Sequence, residues 1–282
     1  MSKIKNKIMV LILAVFALAS CFAAAGFPEK AKAEEATCPQ DGTFEIVDKV
    51  SLKLNEDGGL RWILKASDEI YNYVKSNDNV EMGFVIAPKQ LTDKVTDGNY
   101  YGMAQKIEIP IVLSKGYRLS DDASNWYFNG CVVEMLEANR ELDYTAAAYI
   151  KNGDSVERQT AVNENSVNDF YNIANLSMLY SGEDYSEKML GLRSYDWLGT
   201  EKFPIKVETT EQYNSLVAKI NADRDFSAKY IDIKSSVDTS KAALSDGKTL
   251  PSGAKCSTFA DDAVKTTVPT SNDLIKDLVY LE

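Results

Sequence analysis

Apolar and polar positions begin to alternate at Val50, Leu52 and Leu54, and the alternation resumes after a turn at 55–59 with Leu60, Trp62 and Leu64. Period-two runs on either side of a Gly-rich turn predict a β-hairpin. Ile70, Tyr73 and Val74 fall on one face of a helix over 68–75, with Ser67 as its N-cap. Val80, Met82, Phe84 and Ile86 then alternate into Pro88, predicting another strand. Ile107, Ile109, Ile111 and Leu113 do the same, and Pro110 marks that strand as an edge or a bulge because it cannot donate to a ladder. Two more strands are predicted over 126–135 and 142–150, the second leading into a hairpin turn at 151–154. Val167, Phe170, Tyr171, Ala174 and Met178 have helical spacing, so a helix over 166–179 closes this unit.

The expected fold is mainly β: an antiparallel β-sandwich-like domain with two short helices over 43–180, followed by a smaller α/β unit over 202–282. Residues 181–201 lack periodicity and read as a linker, and 34–42 read as a short polar tether. In the second unit Phe203, Ile205 and Val207 form a strand. Thr209 and Gln212 have the spacing of a capping box, and Tyr213, Leu216, Val217 and Ile220 line one helical face. A further strand covers 229–233, whereas 235–272 carries no clear pattern; Leu274, Ile275, Leu278 and Val279 suit a last short helix.

The first residues carry an address. Lys3, Lys5 and Lys7 precede an apolar run over 8–25, the order of an export signal. Two cleavage readings stay open. Leu18-Ala19-Ser20-Cys21 has the form of a bacterial lipobox, with Cys21 as the lipidation site, and Ala31-Lys32-Ala33 is an A-x-A site for cleavage after residue 33. A third reading retains the run as an uncleaved anchor, since it is long enough to span a bilayer. All three put the chain outside the cytoplasm, in the cell envelope or released, with membrane contact only through the N-terminal signal or a lipid.

The pieces Gly59-Leu60-Arg61-Trp62, Met82-Gly83-Phe84-Val85-Ile86-Ala87-Pro88, the run over 144–150 and Ser166-Val167-Asn168-Asp169-Phe170-Tyr171-Asn172-Ile173-Ala174 follow one another in a set order. In that order, over about 45–175, the chain resembles an uncharacterised β-rich module of secreted and surface multidomain proteins of Gram-positive anaerobes. The resemblance implies location and architecture and brings no catalytic residues with it. Residues 203–238, ending in Ile233-Lys234-Ser235-Ser236-Val237-Asp238, resemble the lead-in segment of GLUG-type repeat surface proteins. No repeats follow here, so that likeness implies only a small α/β unit.

Composition narrows the chemistry. The 282 residues are 45% hydrophobic and 26% charged, as in ordinary globular proteins, with a formal charge of −11. Loss of 1–33 takes away five lysines and one glutamate, leaving the remainder more acidic still. Such a balance argues against nucleic acid held by phosphate neutralisation. The chain has no histidine, which removes His-based triads, imidazole metal sites and imidazole pH switches. No cofactor and no metal are expected. Beyond Cys21, the cysteines at Cys38, Cys131 and Cys256 are too far apart in sequence for a C-x-x-C motif; one disulfide with a thiol left over, or three reduced and partly buried thiols, both fit.

Hydrolysis without histidine would call on paired carboxylates, for which Glu134, Glu137, Glu141, Asp143 and the Asp121-Asp122 turn are the candidates. In so acidic a chain these clusters read first as a solvated face. Ser114-Lys115 has no partner motif, and the loops 77–79 and 121–125 lack the ligand spacing of a calcium hand. Aromatics beside amides make a better case: Tyr100, Tyr101, Trp126 and Tyr127 are the candidate ligand-binding platform, since flat apolar faces with polar neighbours can stack on sugar rings. Trp62 and Phe84 are expected in the core, and Arg61 either buries an ion pair or points outward. The functional expectation is a non-catalytic exported module, binding or structural, with a polysaccharide or a surface protein as partner. A carboxylate-dependent glycan hydrolase is the alternative.

Overall fold

Alternation becomes two sheets whose inner faces share one core. The structure, a computed structural model, describes residues 37–53, 59–180 and 197–258. The leader with Cys21, the turn at 55–58, most of the 181–201 segment and the expected helix around Leu274 lie outside the described residues. The first sheet holds β1 (Phe44–Ile46), β2 (Ser51–Lys53), β3 (Gly59–Ser67), β6 (Tyr117–Leu119) and β7 (Asp122–Val133), in the order β1-β3-β7-β6 with β2 also on β3. The second runs β5-β4-β8-β9, from β4 (Val80–Pro88), β5 (Ile107–Pro110), β8 (Tyr144–Asn152) and β9 (Ser155–Gln159). All pairings in both sheets are antiparallel. The chain is mainly β, in a sandwich-like arrangement.

Side-chain size decides how closely the sheets approach. Trp62 pairs with Gly130 across β3 and β7, and Phe84 pairs with Ala148 across β4 and β8. The Phe84 ring fills the space over Gly130, so both large rings are fully buried, as expected. The Trp62 indole N–H still finds a partner, the Ser166 carbonyl at 3.0 Å. Arg61 is buried, and its Nε donates to Ser51 Oγ at 2.8 Å. Strands β4 and β8 are buried on both faces. Their inner residues meet the first sheet, on the outer face Tyr101 covers Tyr149, and α2 (Lys89–Thr92) contacts both strands.

Several expectations shift by a few residues for local reasons. The strand expected at 126–135 begins earlier, at Asp122, and stops at Val133, because Glu134 takes φ 54°. Ser67 sits at the N-cap of α1 (Asp68–Ser76), but its hydroxyl makes no capping bond and lies against Gly42. The 34–42 tether is held down from Cys38 onward: Cys38 is buried, and the Arg158 guanidinium donates to the carbonyls of Pro39 and Gly42 at 2.7 and 2.8 Å. Pro110 ends β5, which pairs on one side only, as an edge strand should. Cys38, Cys131 and Cys256 are all free thiols, and Cys256 is exposed rather than partly buried.

Helix α3 (Phe170–Tyr180) closes the sandwich and is buried along all its described side chains but the half-buried Asn172, which joins the second unit to the first. Trp197 and Phe203 pack on its Phe170 and Tyr171. The second unit is a three-stranded parallel sheet, β10 (Ile205–Val207), β11 (Tyr230–Lys234) and β12 (Gly253–Ser257), with α4 (Thr210–Asn221) crossing between the first two. The capping box of α4 is formed: Thr209 Oγ1 accepts the Gln212 N–H at 3.2 Å, and Gln212 Oε1 accepts the Thr209 N–H at 3.3 Å. No helix among the described residues is long and apolar enough to cross a membrane.

Candidate functional site

Trp126 and Tyr127 are neighbours on β7, so the strand's period of two sends them to opposite faces. Trp126 points toward the core side and stacks on Tyr71 of α1, with ring centroids 4.1 Å apart and 13° between planes. The Arg118 guanidinium lies 4.5 Å from the same indole. Groups this close to the ring centre cannot share one face, so both faces are engaged. The indole N–H donates to Asp68 at 2.9 Å, and Asp68 also pairs with Arg118. Hydrogen bonding from Arg118 holds the Asp68 carboxyl below its usual range.

Tyr127 lies on the outer face of the same sheet and is only 6% exposed. Its hydroxyl donates to Asp122 at 2.6 Å, and Lys65 meets that carboxylate at 2.8 Å. Asn125 and Ser124 donate to its other oxygen, at 2.7 and 3.1 Å. With its oxygens shared in this way, Asp122 stays ionised well below the carboxylate range, chiefly through Lys65 and then Tyr127. Burial, reinforced by Asp122, pushes the Tyr127 phenol up to about 12.

Tyr101 belongs to a third place, the outer face of the second sheet. Its ring meets Tyr149 edge-on at 4.7 Å, and Lys106 lies 4.2 Å from its centre. Beneath it, Lys151 donates to Glu81 at 2.8 Å, to Tyr101 Oη at 3.0 Å and to Glu108 at 3.3 Å. The Tyr149 hydroxyl lies 3.1 Å from both carboxylates, and Gly83 leaves the room it needs. Hydrogen bonding to Glu81, then to Tyr101, holds the Lys151 ammonium charged well above the lysine range. Burial pushes Tyr149 far above the phenol range, with Glu108 and Glu81 adding to it. Burial alone would raise Glu108, but hydrogen bonds from Tyr101, Lys151 and Tyr149 outweigh it and lower the carboxyl. Tyr100 is half-buried in the adjoining turn, its N–H on the Gly98 carbonyl at 3.1 Å. The four aromatic candidates therefore occupy three separate environments and do not form a common platform.

The carboxylate candidates are also dispersed. Glu134, Glu137 and Glu141 are exposed around the short turn after β7, and Glu137 pairs with Lys202. Asp143 is half-buried, and its backbone carbonyl accepts the Lys89 N–H. Ser114 and Lys115 sit in an exposed 3-10 turn. Among the described residues, no three Cys, Asp or Glu side chains gather as a metal site.

A cleft of about 450 Å³ opens in the second unit, where residues 223–227 after α4 face 247–252 before β12. Asp223 takes φ 65° there, which ends the helix, and it pairs with Lys248. Asp225 accepts the Ser227 N–H at 2.8 Å, and hydrogen bonding from Ser227, first its side chain and then this N–H, holds its carboxyl below the usual range. Phe226 and Pro251 are buried beside it. Sequence reading missed this place because 235–272 has no periodicity; the one local signal was the Asn221-Ala222-Asp223 helix stop. The sequence matches no protein-family model, and no curated protein matches it.

Proposed function

We propose that the chain acts outside the cytoplasm as a non-catalytic binding module whose partner is an extracellular polysaccharide or a surface protein. One observation carries the non-catalytic half: the strongest titratable groups are locked to one another. Glu81 and Glu108 share Lys151 and Tyr149, so the space a water or substrate would need between two carboxylates is filled by an ammonium and a phenol. Asp122 is likewise filled by Lys65, Tyr127 and Asn125. Their shifts run away from neutrality, opposite to the tuning a general acid or base needs.

Export is supported by the basic, then apolar, order of the leader. The acidic balance and the likeness to surface modules favour a neutral or protein partner over a polyanion. The binding half is tested by co-sedimenting the full chain with insoluble polysaccharides and with envelope protein fractions. Retention without product formation is expected; failure to bind either class contradicts the reading. Membrane fractionation of Cys21→Ala separates the lipid-anchor reading from the other two, since a loss of membrane retention on this substitution follows only from a lipid anchor.

A further inference from the structure

We propose that the connection between β4 and β5 is a strap latched by one residue, Tyr101, and that it swings off the second sheet as a unit while both sheets stay folded. The strap leaves α2 after Thr92 and returns at Lys106. Since β4 and β5 are antiparallel neighbours, a tight turn could join them, and a long irregular connection is uncommon in such a place. None of residues 93–106 is buried and most are exposed, so little apolar area holds the strap down.

Polar contacts hold it instead, and they converge on one side chain. Over 96–105, every hydrogen bond that leaves the segment is made by Tyr101. Its N–H donates to Gln159 Oε1 at 3.1 Å, and its carbonyl accepts the Lys106 ammonium. Its hydroxyl donates to Glu108 at 2.9 Å and accepts from Lys151 at 3.0 Å. The remaining bonds stay within the segment: Asp97 accepts the Asn99 N–H at 2.9 Å, Asn99 Oδ1 accepts the Gly102 N–H at 2.9 Å, and the Tyr100 carbonyl accepts the Met103 N–H at 3.2 Å. These turn contacts survive when Tyr101 lets go, so the tip moves as one piece.

The strands beneath are held differently. β4 pairs with β5 and β8, and β8 with β4 and β9, so each is bonded along both edges. Segments with few buried apolar contacts open at lower free energy than such ladders. Closed, Tyr101 fills the space over the fully buried Tyr149 ring; open, it uncovers that ring and the Glu81, Lys151 and Glu108 group beside it. The inference does not depend on what the module binds.

Native-state hydrogen exchange of the full chain, read amide by amide in rising urea below the unfolding transition, tests the latch. The Tyr101, Gly102 and Met103 amides should be protected and exchange at rates that urea hardly changes, whereas β4 and β8 amides should speed up steeply. Tyr101→Phe and Gln159→Ala should each speed the strap amides about tenfold or more. Two variants are used so that a folding defect in one leaves the other decisive. Asn175→Leu, which removes the bonds from α3 to Lys206, should speed β4 and β8 amides and leave the strap rates unchanged. Strap amides with the urea slope of β4 and β8, or strap rates that rise with Asn175→Leu, mean that the strap opens only with the whole molecule and overturn the proposal. Absence of protection in the parent chain, or strap rates unmoved by both latch variants, overturns it as well.

Discussion

Asn175 stands in for a missing strand beside Lys206: its Nδ2 donates to the Lys206 carbonyl at 2.8 Å, and its Oδ1 accepts the Lys206 N–H at 3.0 Å. A primary amide carries the same donor and acceptor as a peptide unit. One buried side chain on α3 thus finishes the edge of β10 and ties the parallel sheet to the sandwich. Asn175→Leu keeps the bulk but takes the amide away from both backbone groups of Lys206. The expected loss is about 2–4 kcal/mol, seen as a lower urea midpoint. An unchanged midpoint would contradict the role.

Gly130 is the second such point. A Cβ there would lie 2.5 Å from the Phe84 ring of the opposite sheet. Gly130→Ala is therefore expected to cost about 1–3 kcal/mol through overpacking. Phe84→Leu in that background should recover part of the loss, so the double-mutant cycle should show coupling. Strict additivity would mean the two residues do not meet.

Stability should depend on pH at both ends through one cluster. The folded Asp122 carboxyl titrates below its unfolded range, so its contribution is complete above about pH 4 and is lost as pH falls below that. Tyr127 is raised to about 12. Its contribution is therefore complete below the unfolded phenol value of about 10 and is lost as pH rises from there toward 12. Unfolding midpoints measured from pH 2 to 6 should fall less steeply in Asp122→Asn than in the parent chain. Parallel curves would remove Asp122 from the acid transition.

Legibility followed the length of each pattern. Strands β3, β4, β7 and β8 have apolar-rich runs of nine to twelve residues, β8 near-continuous because both its faces are buried, and α4 announces itself through Thr209 and Gln212. Strands β1 and β6 have three residues each, too few for a period to show. Strand β12 reads Gly-Ala-Lys-Cys-Ser and owes its form to pairing with β11 rather than to bulky apolar residues. For the site, the alternation of β7 already separates Trp126 from Tyr127. The meeting of Tyr101 with Tyr149 and Lys151 joins positions about fifty residues apart, which no local pattern encodes. The cleft escaped for the same reason, being lined by two loops on either side of β11 in the chain.

Arg118→Ala should uncover one face of Trp126 and free Asp68 from its cation. Tryptophan emission should shift to the red, with a stability loss of about 0.5–2 kcal/mol. An unaltered spectrum would mean that the guanidinium does not cover the ring.

The most direct test of the central claim follows reducing ends released over time while the full chain is held with the polysaccharides it retains. A saturable bound fraction is expected, with no accumulating product at any pH between 4 and 9. Steady release that disappears on replacing a single Asp or Glu would contradict it.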